Sequence, residues 1–210
     1  MVDASMVSFP VNGTEADGYL STPDGGSGPG LLVIQEWWGL VPQIKAVCDR
    51  LAGEGFTALA PDLFHGDFAE HTEMDKAGEL MNSLPPERAA KDMAGAIAHL
   101  LASDAVTGDR VAAAVTFYGA PLGDGEPDWS GLTAKVEGHF AENDDFFPPE
   151  AVRDLESRLQ AMGKDVSFTI YPGTGHAFAN EHNPLGTRDD DAAAQAWDRS
   201  LAFLKAELSR

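Results

Sequence analysis

Apolar positions along the chain switch repeatedly between strand-like and helix-like spacing. Residues 5–11 and 16–21 are read as two strands that pair as a hairpin around Asn12-Gly13, a dipeptide suited to a two-residue hairpin turn. Residues 22–30, TPDGGSGPG, read as a surface turn rather than a domain linker. The run GLLVIQ at 30–35 is short and continuously apolar, as a buried parallel strand is. Residues 42–54 then place Ile44, Val47, Cys48 and Leu51 at helical spacing, with Gly53 or Gly55 to close the helix. Further strands are predicted over 56–60, 110–118, 136–141 and 166–171, and helices over 70–82, 86–103, 149–162 and 190–208. Strands alternating with helices predict an α/β fold, a mostly parallel sheet with helices on both faces. A chain of 210 residues that is 43% hydrophobic can bury one core, so a single domain over 1–210 is expected.

In such a sheet the chemistry gathers at the carboxyl ends of the strands. Four ends carry polar groups. Gln35-Glu36-Trp37-Trp38 puts a carboxylate directly after the first buried strand; its plain alternative is a helix N-terminal acid between core tryptophans. Asp62 and His65 follow the second, as ligands or as ordinary loop residues. Glu142-Asn143-Asp144-Asp145 follows strand 136–141, either to orient a base or as solvated turn acids. His176 sits in the loop YPGTGHAF, where Gly175 allows the backbone a sharp turn that presents the imidazole. An acid followed by a histidine, late in an α/β chain, is the order a hydrolase triad needs.

Charge narrows the partners. Acidic residues number 34 against 14 basic ones, a net charge of −20, which repels a phosphate backbone or an anionic membrane surface. Only six of the basic residues are lysines, and a dense acidic surface poor in lysine stays hydrated in concentrated salt, so we read a halophilic host. The unfolding midpoint is therefore expected to rise from low salt to molar KCl, where a screening length of ~3 Å removes most repulsion between exposed acids. A midpoint that stays flat or falls contradicts this reading. No apolar run is long enough to span a membrane, and the first residues lack the features of a signal peptide, so a cytoplasmic protein is expected. One cysteine excludes an intrachain disulfide, and the six histidines show no His-Glu-x-x-His or His-x-x-x-His spacing, so no metal site is read. The acids Asp189–Asp191 read as solvated.

The segments LLVIQEWWGL, GFTALAPDLFHG, RVAAAVTFYGAP, GHFAENDDFFPPE and YPGTGHAFAN, with the terminal helix ending AWDRSLAFLKAEL, together resemble the dienelactone hydrolase family of the α/β-hydrolase superfamily. The resemblance covers about Gly18 to Leu208. It implies a carboxymethylenebutenolidase-like hydrolase of a small ester or lactone that needs no cofactor, with a cysteine nucleophile, an aspartate and a histidine. By motif, Asp144 corresponds to the triad acid, His176 to the base, and Glu36 to the carboxylate that holds the cysteine in the resting state. The chain departs from the family where the nucleophile belongs. A strand, a sharp Gly-x-Cys-x-Gly-Gly elbow and a helix should lie between the helix 86–103 and the strand 110–118, and only Asp104-Ala-Val-Thr-Gly-Asp109 stands there. No Gly-x-Cys-x-Gly or Gly-x-Ser-x-Gly occurs anywhere, and Cys48 falls on the apolar side of a predicted helix.

Loss of that strand–helix unit should leave a gap or make neighbouring strands close up, and an uncovered apolar edge invites self-association. If the strand 110–118 took the vacant place, Tyr118 would stand where the cysteine is missing; the plain alternative is that Tyr118 ends its own strand. Two functions follow from these residues: a hydrolase with impaired or altered catalysis, or an internally deleted, inactive relative serving as a binding or structural module.

Overall fold

The computed structural model describes residues 2–108, 113–119 and 127–208. The hairpin forms as β1 (Asp3–Val11) and β2 (Thr14–Thr22), with Asn12 and Gly13 both at positive φ, 47° and 102°. That pair of left-handed residues gives the turn a twist that matches the strands. β2 pairs antiparallel with β4 (Thr57–Pro61), and β4 pairs in parallel with β3 (Gly28–Leu32). A strand the sequence does not reveal, β5 (Val106–Thr107), completes the order β1-β2-β4-β3-β5. All of β4 is buried, which explains its unbroken apolar run.

Helices cover this sheet on both faces. Ala16 and Leu20 of β2 pack with Phe9, Leu59, Ala96 and Leu100, on the side of α3 (Pro86–Leu101). The intervening Tyr19 and Ser21 face α1 (Pro42–Gly53), where both hydroxyls donate to Asp49. α1 ends as expected at a glycine, Gly55, whose φ is 98°. The helix expected from residue 70 starts later, as α2 (Met74–Ser83), because residues 70–73 close a turn through the Glu70 carbonyl and the Glu73 carboxylate.

A second sheet holds β6 (Ala113–Phe117), β7 (Lys135–Asn143) and β8 (Val166–Gly175), all parallel. The predicted residues 110–112 of the first of these lie outside the described residues. α4 (Pro149–Ala161) packs Leu155 and Leu159 on the β7 face that carries Val136, while α5 (Asp190–Leu208) lies on the face that carries His139, bonded to Ser200.

Among the described residues the strands pair within two sheets, each inside one of the compact units of residues 1–110 and 111–210. β5 has two residues, enough for the pairs Gly28↔Val106 and Pro29↔Thr107 but not for a ladder. Ile34, just past β3, is 58% exposed, and in β6 Ala114 is exposed and Val115 to Phe117 are half-buried.

Candidate active site

β7 and β8 bring the late acid and histidine together. Their register runs from Val136↔Val166 to Ala141↔Tyr171, then jumps to Asn143↔Gly175. The irregularity takes up extra residues at Pro172–Thr174, so the next residue on each strand, Asp144 and His176, stand side by side. His176 Nδ1 lies 2.8 Å from Asp144 Oδ2, and the Asp144 side chain is fully buried while that of His176 is 24% exposed. The other carboxylate oxygen accepts the backbone N–H groups of Phe146 at 2.9 Å and Phe147 at 3.0 Å. Asp144 thus folds its own loop while it orients the imidazole. A carboxylate takes a hydrogen from Nδ1, which places the lone pair of a neutral ring on Nε2.

The loop is held from behind. The Thr187 hydroxyl donates to the His176 carbonyl. Gly175 is required by space and not by an unusual φ: a Cβ there would meet Thr187 Cγ2 at 2.6 Å. The left-handed residue is Ala177, at φ 62°, whose neighbour Phe178 is fully buried. Rings surround the imidazole, with Phe146 at 4.9 Å, Tyr118 at 5.6 Å and Phe147 nearly parallel at 5.9 Å.

The remaining sequence candidates fall elsewhere. Asp145 is exposed, which leaves Asp144 as the acid of that adjacent pair. Glu36 is half-buried and lies in the first unit, whereas Asp144 and His176 belong to the second. It precedes α1 by several residues, so it is not an acid of that helix's first turn. Trp37 and Trp38 meet edge-to-face at 4.9 Å, and Trp38 is core at 2% exposure. His65 pairs through Nε2 with the buried Asp92 at 2.8 Å, and Asp62 accepts the N–H groups of Phe64 and Gly66. Asp189 accepts the Ala192 N–H at the start of α5, and Asp190 pairs with Arg188, so these acids serve the helix end.

Tyr118 directly follows β6, which pairs with β7, and the Tyr118 N–H donates to the His139 carbonyl at 2.7 Å. Its φ of 41° turns the chain sharply there. Cys48 is fully buried in α1, and burial pushes its thiol up to about 12. The thiolate is the reactive form, so iodoacetamide should leave native Cys48 unmodified at neutral pH. Rapid labelling seen by mass spectrometry would overturn this placement. The rings of Phe146 and Phe147 are the part of the site that the sequence reading passed over, although both directly follow Asp144-Asp145.

The model of the dienelactone hydrolase family matches residues 16–106 and 93–208. The chain belongs to that family. The family match comes in two pieces that overlap over residues 93–106, next to the stretch 104–109 where the sequence carries no elbow motif. Protein usf of Aquifex pyrophilus is 34% identical over 233 aligned positions, covering 97% of this chain and 99% of the relative. A protein of Aquifex aeolicus that bears the name of a carboxymethylenebutenolidase is 31% identical over 234 positions, covering 97% and 98%. Both alignments exceed the 210 residues present here, so these family members carry positions with no counterpart in this chain. A dienelactone hydrolase-like promiscuous phosphotriesterase from metagenomic libraries shares the fold, with a TM-score of 0.81, 21% identity and 98% coverage of each chain. A cold-adapted esterase from an Arctic intertidal metagenomic library shares it more distantly, with a TM-score of 0.66, 16% identity, and coverage of 99% of this chain and 94% of that one. No helix among the described residues is long and apolar enough to cross a membrane.

Proposed function

We propose that this family member is a slow hydrolase of small esters or lactones in which His176 acts as a general base on water. The observation that carries the reading is the buried Asp144 carboxylate 2.8 Å from His176 Nδ1, in a chain without an elbow sequence. Nε2 takes a proton from water as the water oxygen bonds to the carbonyl carbon. The tetrahedral intermediate then expels the alkoxide, which recovers that proton from the imidazolium as the C–O bond breaks. No acyl-enzyme forms, because the described residues place no thiol or serine hydroxyl at this pair. Glu36 has no cysteine to hold in this reading, so Glu36→Gln is expected to leave the rate unchanged. The family match extends across both units, which supports their working as one hydrolase domain. The acidic composition fits action in the cytoplasm of a salt-adapted cell.

The second reading is an inactive relative, favoured by the positions missing from this chain relative to the two Aquifex proteins. Turnover of an activated aryl ester by the wild type and by His176→Ala separates the two. The hydrolase reading expects single-phase kinetics without a burst, lost in His176→Ala. Wild-type turnover no faster than buffer supports the inactive relative. A burst with a covalent protein adduct would refute the water mechanism.

A further inference from the structure

Phe146 is the most exposed large hydrophobic residue among those described, at 66%, yet its ring centroid is 4.9 Å from that of His176. An apolar ring held in water at such a point has surface left to bury. It is not a loose loop side chain. Its backbone N–H is bonded to the Asp144 carboxylate that orients His176, and the neighbouring Phe147 N–H is bonded to the same oxygen. Phe147 adds a second face, inclined only 18° to the imidazole. Beside these rings, the cleft next to Asp144 is lined, among the described residues, by Glu142, Asp145 and Glu150 with Asn143 and two prolines, and by no lysine or arginine. Planar apolar walls favour a flat aromatic group, and a cleft edged by carboxylates disfavours an anion.

We propose that Phe146 is a specificity-determining residue and that the site takes uncharged aryl esters, with the aromatic group on Phe146 and the carbonyl toward His176, in preference to substrates carrying a carboxylate. This deepens the hydrolase reading and rests on His176 being the reactive group, but its test is binding and does not need turnover. Acetophenone, a neutral aryl ketone that cannot be hydrolysed, and phenylglyoxylate, its carboxylated counterpart, are titrated into the full chain while the His176 ring resonances are followed by NMR. Acetophenone is expected to shift them saturably, and phenylglyoxylate to bind at least about tenfold more weakly. Phe146→Ala is expected to weaken acetophenone about five- to tenfold, and Phe146→Tyr to restore it, as loss and return of one ring contact would. Because Phe146 is exposed, the alanine variant should keep the fold, which an unchanged circular dichroism spectrum and melting temperature would confirm. Equal or tighter binding of the anion, absence of any shift in the wild type, or an alanine variant that binds as well as the wild type would each overturn the proposal. A wild type that binds acetophenone as described but shows no ester turnover would overturn the water mechanism alone.

Discussion

Asp144→Asn is expected to lower hydrolysis of an activated aryl ester about a hundredfold or more, the scale of a lost general base, whereas Asp145→Asn is expected to leave it unchanged. The Asp144 carboxylate does two jobs with two oxygens: one accepts the Phe146 and Phe147 N–H groups, the other faces His176 Nδ1 at 2.8 Å. Asparagine keeps the first job with its carbonyl. Its amide then presents N–H toward Nδ1, which drives the hydrogen of the ring onto Nε2 and removes the lone pair that would accept a proton from water. The loop should survive, so the melting temperature should move little while activity falls. The double variant Asp144→Asn, His176→Ala should be no slower than the worse single variant, because the two residues act as one unit. Additive losses would show that Asp144 and His176 do not act through each other. Asp145 is exposed, and its variant controls for the loss of one negative charge nearby.

The second large effect is on stability below neutral pH. His139 is fully buried on β7, with Nδ1 at 3.0 Å from the Tyr171 hydroxyl and Nε2 at 2.8 Å from Ser200 Oγ. Ser200 donates its own hydrogen to the Ala196 carbonyl, so its oxygen accepts from Nε2–H and Nδ1 accepts from the tyrosine. The neutral ring is satisfied at both ends, and protonation would set a second N–H against the tyrosine O–H. Burial, with the nearby Arg199, depresses His139 from 6.5 to about 4. The unfolded chain therefore binds the proton more readily than the native state does. Stability contributed by the neutral ring is complete above about pH 6.5 and is lost as pH falls toward 4, by about 3 kcal/mol in all. Glu137, whose Oε1 is 3.4 Å from Nε2, is held above the usual carboxylate range by burial and works in the opposite direction. The comparison is accordingly a difference: denaturant unfolding of the wild type and His139→Gln from pH 7 to 4. The wild type should lose about 3 kcal/mol more over that range; parallel curves would show that His139 does not titrate on unfolding.

Within the first unit, β3 is paired on its outer side over only two residues. β4, paired on both sides, is wholly buried, while β3 has only the two-residue β5 beside Gly28 and Pro29. A strand of that length cannot cover Leu31 or Leu32, which stay half-buried, or shield Ile34. In a chain of net charge −20, general repulsion opposes association through such edges at low ionic strength, and screening weakens that opposition in salt.

Much of this was legible before any coordinates. The run at 56–60 announced a strand, because a strand buried on both faces excludes polar side chains along most of its length; the run at 30–35 announced one that lies earlier, at Gly28–Leu32, and is mostly half-buried, and 136–141 lies within β7 although it carries the buried polar residues Glu137 and His139. The Ile44, Cys48 and Leu51 spacing placed the cysteine inside a helix, where it is found. Asp144 and His176 were marked by their order and by their place after strands. Other features were decided only by tertiary structure. Local sequence does not choose between Asp144 and Asp145; the turn that buries one carboxylate beneath two backbone N–H groups does. Nothing near Gly175 in sequence reveals that Thr187 would occupy the space of its Cβ. The bond between His65 and Asp92 joins residues 27 apart in sequence, and the packing of His139 against Ser200 joins residues 61 apart. Periodicity reports which residues are buried, since burial is imposed residue by residue; which buried groups meet depends on chain paths that only the folded structure specifies.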